Sequence, residues 1–276
     1  MSYRGRLAPS PTGYLHLGHA RTFWIAQERA RRSRGELLLR IDDLDRARCR
    51  PEFVDAAVED LAWFGFRWTG EAVFQSQRMQ LYEAAFEKLR DARLIYPCIC
   101  SRRDVMSAIN APHAGDDEPI YPGTCRDRNF SEDELRGRQV NWRFRIRDGG
   151  QVSFIDGRSG PHFFEAGRDF GDFVVWRHDN LPSYQLAVVV DDLDMRITEV
   201  VRGDDLLRST ARQLLLYEAF KAAPPAFYHC ALMLDASGRR LAKRYDSLSL
   251  RQLRALGKMP EELRAQWDQG ATETTR

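Results

Sequence analysis

"PSPTGYLHLGHAR", Pro9 to Arg21, joins what reads as a short strand, Tyr3–Leu7, to a helix running from Gly18 to about Arg34. Ala20, Phe23, Trp24, Gln27 and Ala30 recur near helical spacing, and Gly35 stops the helix. Glu36–Ile41 (ELLLRI) follows as an apolar run of buried-strand length. Strand, helix and strand at this spacing form a βαβ unit, which implies a parallel sheet. The fold class expected is therefore α/β. The loop between the first strand and the first helix is where such a sheet holds anions, because unsatisfied N–H groups and the helix dipole favour negative charge. Gly18 removes a side chain there, so a nucleotide can lie against the backbone. His16 and His19 can donate to phosphate oxygens. Four residues of the form H-x-G-H, taken alone, fit a capped surface loop as well.

Composition narrows the class. The 276 residues suffice for one large domain or two modest ones, and 43% hydrophobic content is ordinary for a globular protein. No apolar run approaches membrane-spanning length, and the polar Met1–Arg6 stretch lacks the apolar core of a signal peptide, so a cytoplasmic protein is expected. The net charge of +2 is too small to identify a nucleic-acid partner. The only lysines are Lys88, Lys221, Lys243 and Lys258, against thirty-eight arginines, so each lysine stands out. The five cysteines, Cys49, Cys98, Cys100, Cys125 and Cys230, are too few and odd in number for a disulfide framework. Cys49 and Cys230 read as ordinary thiols.

Further along, Pro51 suits the first turn of a helix reaching about Phe64, and Met79–Arg90 is another helix. From Tyr96 to Phe130 the periodicity breaks, as in an insertion. Alternation returns in Asn141–Arg147 and Gln151–Asp156, read as antiparallel strands. Gln185–Asp191 (QLAVVVD) reads as a fully buried strand, Leu206–Phe220 as a helix and His229–Leu234 as a strand. Two short helices are expected near the end, with Thr272–Arg276 frayed.

"RLAPSPTGYLHLGHAR" (Arg6–Arg21) resembles the signature of class I aminoacyl-tRNA synthetases of the glutamyl/glutaminyl group. That group carries Pro-x-Pro-Thr-Gly before an HIGH-type tetrapeptide, here with Leu17 in second place. "RIDDLD" (Arg40–Asp45), "GDFVVWRHDNLPSYQLAVVVDD" (Gly171–Asp192) and "VVRGDDLLRSTARQ" (Val200–Gln213) extend the resemblance in the family's order. The counterpart of the family's second ATP motif, KMSKS, is "RLAKR" (Arg240–Arg244). Arg240, Leu241, Ala242 and Arg244 depart from the pattern and Lys243 keeps its key cation, with Gly238 ahead of it. A compact ammonium on a flexible stem suits a moving pyrophosphate.

The resemblance implies a Rossmann-type catalytic domain with a small zinc-binding, acceptor-type insertion and a short helical C-terminal part. The divisions expected are residues 1–95 and 171–245 for the two catalytic halves, 96–170 for the insertion and 246–276 for the tail. It implies His16, His19 and Lys243 as catalytic residues, and Pro11, Gly13, Gly18, Gly203 and Asp204 beside them around ATP and Mg²⁺. Glutamate would lie among Arg6, Ala8, Ser10, Asp42, Tyr184 and Arg202. The chemistry is coherent: two carboxylates call for arginines, Arg6 and Arg202, and an ammonium for an acid, Asp42. The family usually has Glu at that place.

Cys98, Cys100 and Cys125 offer three thiolates, one short of a tetrahedral zinc site. The short members of the group hold one structural zinc with a Cys-x-Cys and a Tyr-x-x-x-Cys pair, which implies Tyr121 as the fourth ligand here. His113 or a nearby acid is the rival, and reduced free thiols are the plain alternative. Only about thirty residues follow Arg244, whereas glutamyl-tRNA synthetases continue into an anticodon-binding domain. The chain thus resembles the short paralogous family of glutamyl-queuosine tRNA(Asp) synthetases. These activate glutamate without tRNA and transfer it to queuosine at the wobble position of tRNA(Asp). The expected partners are glutamate, ATP and that tRNA, with a monomer as the expected state. Rival readings are a small enzyme charging the 3′ end of tRNA(Glu), an inactive tRNA-binding paralogue, or another nucleotidyltransferase.

Overall fold

The computed structural model describes residues 2–107, 120–233 and 248–271. In chain order the elements are β1 (Arg4–Leu7), α1 (Leu17–Arg32), β2 (Glu36–Ile41), α2 (Pro51–Phe64), β3 (Val73–Phe74), α3 (Met79–Asp91), β4 (Ile95–Cys98), α4 (Arg102–Ser107) and α5 (Glu132–Leu135). They continue with β5 (Asn141–Phe144), β6 (Gln151–Asp156), β7 (Gly160–Glu165), β8 (Val174–Trp176), α6 (Tyr184–Asp194), β9 (Glu199–Gly203), α7 (Leu207–Ala219), β10 (Ala226–Cys230), α8 (Leu250–Ala255) and α9 (Pro260–Ala271). The chain divides into two compact units. One holds Met1–Gln77, Ile197–Asp205 and Pro225–Arg276; the other holds Arg78–Arg196 and Leu206–Pro224.

The first unit contains the parallel strands. β1 pairs with β2 in parallel, β2 with β3, and β9 with β10. The Thr198 amide donates to the Arg4 carbonyl at 2.8 Å, so the chain entering β9 is tied to β1. Gly35 is required where the chain turns from α1 into β2, because a Cβ there would lie 2.4 Å from the Tyr3 carbonyl oxygen. Leu7, Leu39, Ile41, Ala20, Leu61, Phe64 and Phe66 fill the core, joined by Leu250, Leu253 and Leu263. Pro51 opens α2 and Gly65, at φ 94°, closes it.

The same core holds one carboxyl group it does not satisfy. Asp60 of α2 is fully buried, and neither carboxyl oxygen has a hydrogen-bond partner among the described residues. Burial pushes its pKa up to about 6, against the weaker pull of Arg251 and Arg254. Below about pH 3 the group is protonated in folded and unfolded chains alike. As pH rises through 6 the folded chain must bury a charge, and a shift of about two units corresponds to about 3 kcal/mol lost. Asp60→Asn is therefore expected to raise the melting temperature at pH 8 and leave it unchanged at pH 3. An equal effect at both pH values would contradict this account.

The second unit has a three-stranded antiparallel sheet, β4-β5-β8, and the antiparallel hairpin β6–β7. It also corrects one expectation. Gln185–Asp191 is not a strand but the body of helix α6. Ser183 caps it, its Oγ accepting from the Leu186 amide at 3.4 Å. Gln185, Leu186, Ala187, Val188, Val189, Asp191 and Asp192 are all buried, so no polar face marks the helical period. A helix with no exposed stripe is indistinguishable from a buried strand by periodicity. The strand expected at His229–Leu234 begins earlier, at Ala226, where the Ala226 amide donates to the Thr198 carbonyl directly after Pro224 and Pro225. Among the described residues, no helix is long and apolar enough to cross a membrane.

Candidate active site and metal centre

The opening stretch becomes a helix start built from imidazoles. His16 is the N-cap of α1, with extended backbone at φ −125° and ψ 173°. Its Nδ1 accepts from the Gly18 amide at 3.1 Å, while the His16 amide donates to His19 Nδ1 at 3.2 Å. This is a reciprocal capping box with histidine in both places. The ring centroids lie 3.7 Å apart. A neutral imidazole that accepts at Nδ1 carries its proton at Nε2, so both rings are fixed as Nε2–H donors. Gly18 has a second reason to be glycine: a Cβ would lie 2.9 Å from His16 Cε1 and 3.0 Å from Nδ1. The room it makes is filled by the His16 ring.

Lys243 and His113 lie outside the described residues. The two flanks of the segment carrying Lys243 are nevertheless anchored on the opening stretch. Arg21 donates to the Ala231 carbonyl at 3.0 Å. Leu250 donates to the Leu15 carbonyl at 2.8 Å, and Ser249 forms a β-bridge with His16.

The residues expected around glutamate are placed as follows. Ala8 and Ser10 line the loop after β1 with Pro11 and Gly13; Ser10 is exposed and Pro11 buried. Arg6 on β1 is buried and donates to the Val201 carbonyl on β9 at 3.1 Å, one residue before Arg202. The Asp42 amide, just beyond β2, donates to the Pro9 carbonyl at 3.0 Å. Asp42 is not a lone acid: Arg40 Nε donates to its Oδ1 at 2.6 Å, with the two side chains 0% and 6% exposed. Arg202 on β9 is also buried, and Gly203 and Asp204 follow it at the start of a 3₁₀ turn. A Cβ on Gly203 would meet the tip of the Asp205 side chain, which can move, so this glycine is less constrained than Gly18. Tyr184 belongs to the second unit, where it opens α6 and is 41% exposed.

The second unit carries a cluster of side chains that could hold a metal ion. Cys98 closes β4, and the Sγ atoms of Cys98, Cys100 and Cys125 all lie within 4.8 Å of one another. Tyr121 Oη sits among them, 3.4 Å from Cys98 Sγ and 3.6 Å from Cys100 Sγ, and accepts from the Cys125 amide at 2.8 Å. Cys100 and Cys125 sulfurs are 3.5 Å apart. Ligands about 2.3 Å from a tetrahedral zinc stand about 3.8 Å from each other, so the four atoms fit such an ion. Burial pushes the Cys100 thiol up to about 12 and raises Tyr121 further, its hydrogen bonds with the cysteines adding to the rise. Cys125 goes the other way: burial opposes it, yet hydrogen bonds from Tyr121 and the Ile99 backbone hold it below its ordinary value. Arg143 adds positive charge, its Nε 3.3 Å from Cys98 Sγ and its guanidinium 3.8 Å above the Tyr121 ring.

Sequence reasoning missed Arg40, Arg143 and His229. An Arg-x-Asp step at a strand end places both side chains on one face, so Arg40 was open to detection. Arg143 and His229 act through neighbours that only the strand pairing brings close.

A family model described as "tRNA synthetases class I (E and Q), catalytic domain" matches residues 2–268. The chain is 46% identical to a Glutamyl-Q tRNA(Asp) synthetase of Nitratidesulfovibrio vulgaris, over 92% of this chain and 82% of that one. It is 40% identical to a Glutamate--tRNA ligase of a Synechococcus species, covering 96% of this chain and 56% of the relative. Among solved structures, a glutamate tRNA ligase of Elizabethkingia meningosepticum superposes with a TM-score of 0.76 at 28% identity, over 94% of this chain and 54% of the other.

Proposed function

We propose, for a chain that belongs to the class I tRNA synthetases of the glutamate and glutamine type, that it activates glutamate with ATP and transfers it to queuosine in tRNA(Asp). What carries this reading is the similarity to glutamyl-Q tRNA(Asp) synthetases along nearly the whole chain and over most of each relative. In the first step the glutamate α-carboxylate attacks the α-phosphorus of ATP in line, and pyrophosphate leaves. ATP enters as its magnesium complex. Catalysis here is positioning and charge stabilisation. The paired Nε2–H donors of His16 and His19 meet phosphate oxygens, at the positive end of α1. Lys243 reaches the leaving pyrophosphate from a segment whose two flanks are tied to the histidine stretch. Arg6 and Arg202 take the carboxylates of glutamate, and Asp42 takes its ammonium.

In the second step a hydroxyl of queuosine attacks the carbonyl of the mixed anhydride. The new ester C–O bond forms as the acyl–phosphate bond breaks, and AMP leaves with the proton on its phosphate. The chain works as a monomer in the cytoplasm. Nuclease digestion of the charged tRNA and mass spectrometry of its nucleosides tests the acceptor. Glutamate is expected on the queuosine nucleoside; glutamate on the 3′-terminal adenosine would favour the rival.

Cys98, Cys100, Cys125 and Tyr121 hold one zinc ion, whose role is to close the fold around the insertion. A four-donor set leaves no open position for catalysis. The purified protein is expected to contain one zinc per chain and to lose melting temperature on chelation. Tyr121→Phe should release the ion at lower chelator concentration than the wild type. Retention as tight as the wild type would remove Tyr121 from the ligand set.

A further inference from the structure

We infer that His229 is a positioning residue for glutamate recognition: it fixes the guanidinium of Arg202 through its Nε edge. β10 runs parallel to β9 with His229 directly paired to Arg202, so the two side chains emerge side by side on one face of the sheet. Arg202 Nε donates to His229 Nε2 at 3.3 Å, with both residues buried and His229 fully so. Phe227, two residues earlier on the same face, stacks on the imidazole at 6.1 Å and 18°. Its ring also lies 5.5 Å from the Arg202 guanidinium carbon. A guanidinium can turn about its long side chain, and two-point recognition of a carboxylate needs it held in one plane. The Nε contact sets that plane, and the edge made by the two terminal nitrogens is a separate one. His229 can do this only as the neutral ring with its proton on Nδ1, because Nε2 must accept.

This rests on the reading of Arg202 as a glutamate ligand. The test is glutamate-dependent ATP–pyrophosphate exchange, with KM measured separately for glutamate and ATP. His229→Leu is expected to raise the glutamate KM about ten- to hundredfold, the scale of a hydrogen bond to a charged group, with kcat and the ATP KM within about twofold. His229→Gln, whose side-chain oxygen reaches where Nε2 lies, should restore most of the loss; His229→Asn, too short to reach, should not. Should the leucine variant fail to fold, the Gln and Asn pair carries the comparison. On an Arg202→Lys background, which has no Nε–H, Gln and Asn should differ little. A glutamate KM unmoved by leucine, or Gln no better than Asn, overturns the role of His229. A wild-type enzyme whose exchange glutamate does not drive overturns the function itself.

Discussion

Gly18→Ala is expected to lower glutamate-dependent ATP–pyrophosphate exchange by about a hundredfold, the scale that a misplacement of about 1 Å exacts at a reacting centre. The cause is local and geometric. The added methyl group would stand 2.9 Å from His16 Cε1, closer than carbon atoms approach, so the ring must leave its place. Leaving breaks the bond from the Gly18 amide to Nδ1, uncaps α1 and releases the tautomer that puts the proton on Nε2. Alanine is a better helix former than glycine, so loss of the cap is offset in part and stability should fall by no more than about 1 kcal/mol. A folded protein that no longer activates glutamate is the expected combination. His16→Asn separates the two roles. Asparagine caps helices well but has no Nε2–H to offer, so stability should hold while exchange is lost. Near wild-type exchange in Gly18→Ala would show that the ring position does not matter.

Arg40→Met should cost about 3–5 kcal/mol of stability, because it strands the Asp42 carboxylate in a site without its partner. The pair is closed off from water, with Arg40 fully buried and its Nε 2.6 Å from Asp42 Oδ1. Asp42→Leu should be comparably damaging by stranding the guanidinium. The double replacement, Arg40→Met with Asp42→Leu, removes both charges and should recover much of the loss. Its activity should not recover, because the acid proposed to meet the glutamate ammonium is gone. Denaturant unfolding and the glutamate KM, measured on all four forms, test this. Additive losses in stability would mean that the two side chains do not depend on each other.

The opening stretch made the parallel-stranded part of the fold legible because its local signals agree. A βαβ unit with its glycine stop, its proline-led α2 and its H-x-G-H loop needs no long-range information. α6 was opaque for the opposite reason: burial on every side erased its period, and three consecutive valines mimic a strand. The site divides in the same way. The residues proposed to touch substrates sit inside motifs, so the sequence alone could nominate them. Arg40, Arg143 and His229, which hydrogen-bond to Asp42, Cys98 and Arg202, are set by strand register and tertiary packing. His229 is level with Arg202 only because β10 pairs with β9, and a chain read in one dimension does not carry that pairing. At Gly18 the expected reason was room for a nucleotide, whereas the structure shows the His16 ring beside it, a contact visible only in three dimensions.

The most direct measurement is charging with labelled glutamate of two tRNA pools, one from cells that make queuosine and one from cells that do not. Periodate cannot replace this comparison, because it attacks the cis-diol of queuosine as well as the 3′ end. Label is expected in tRNA(Asp) from the first pool and not in the second. Undiminished charging of the queuosine-free pool would contradict the account.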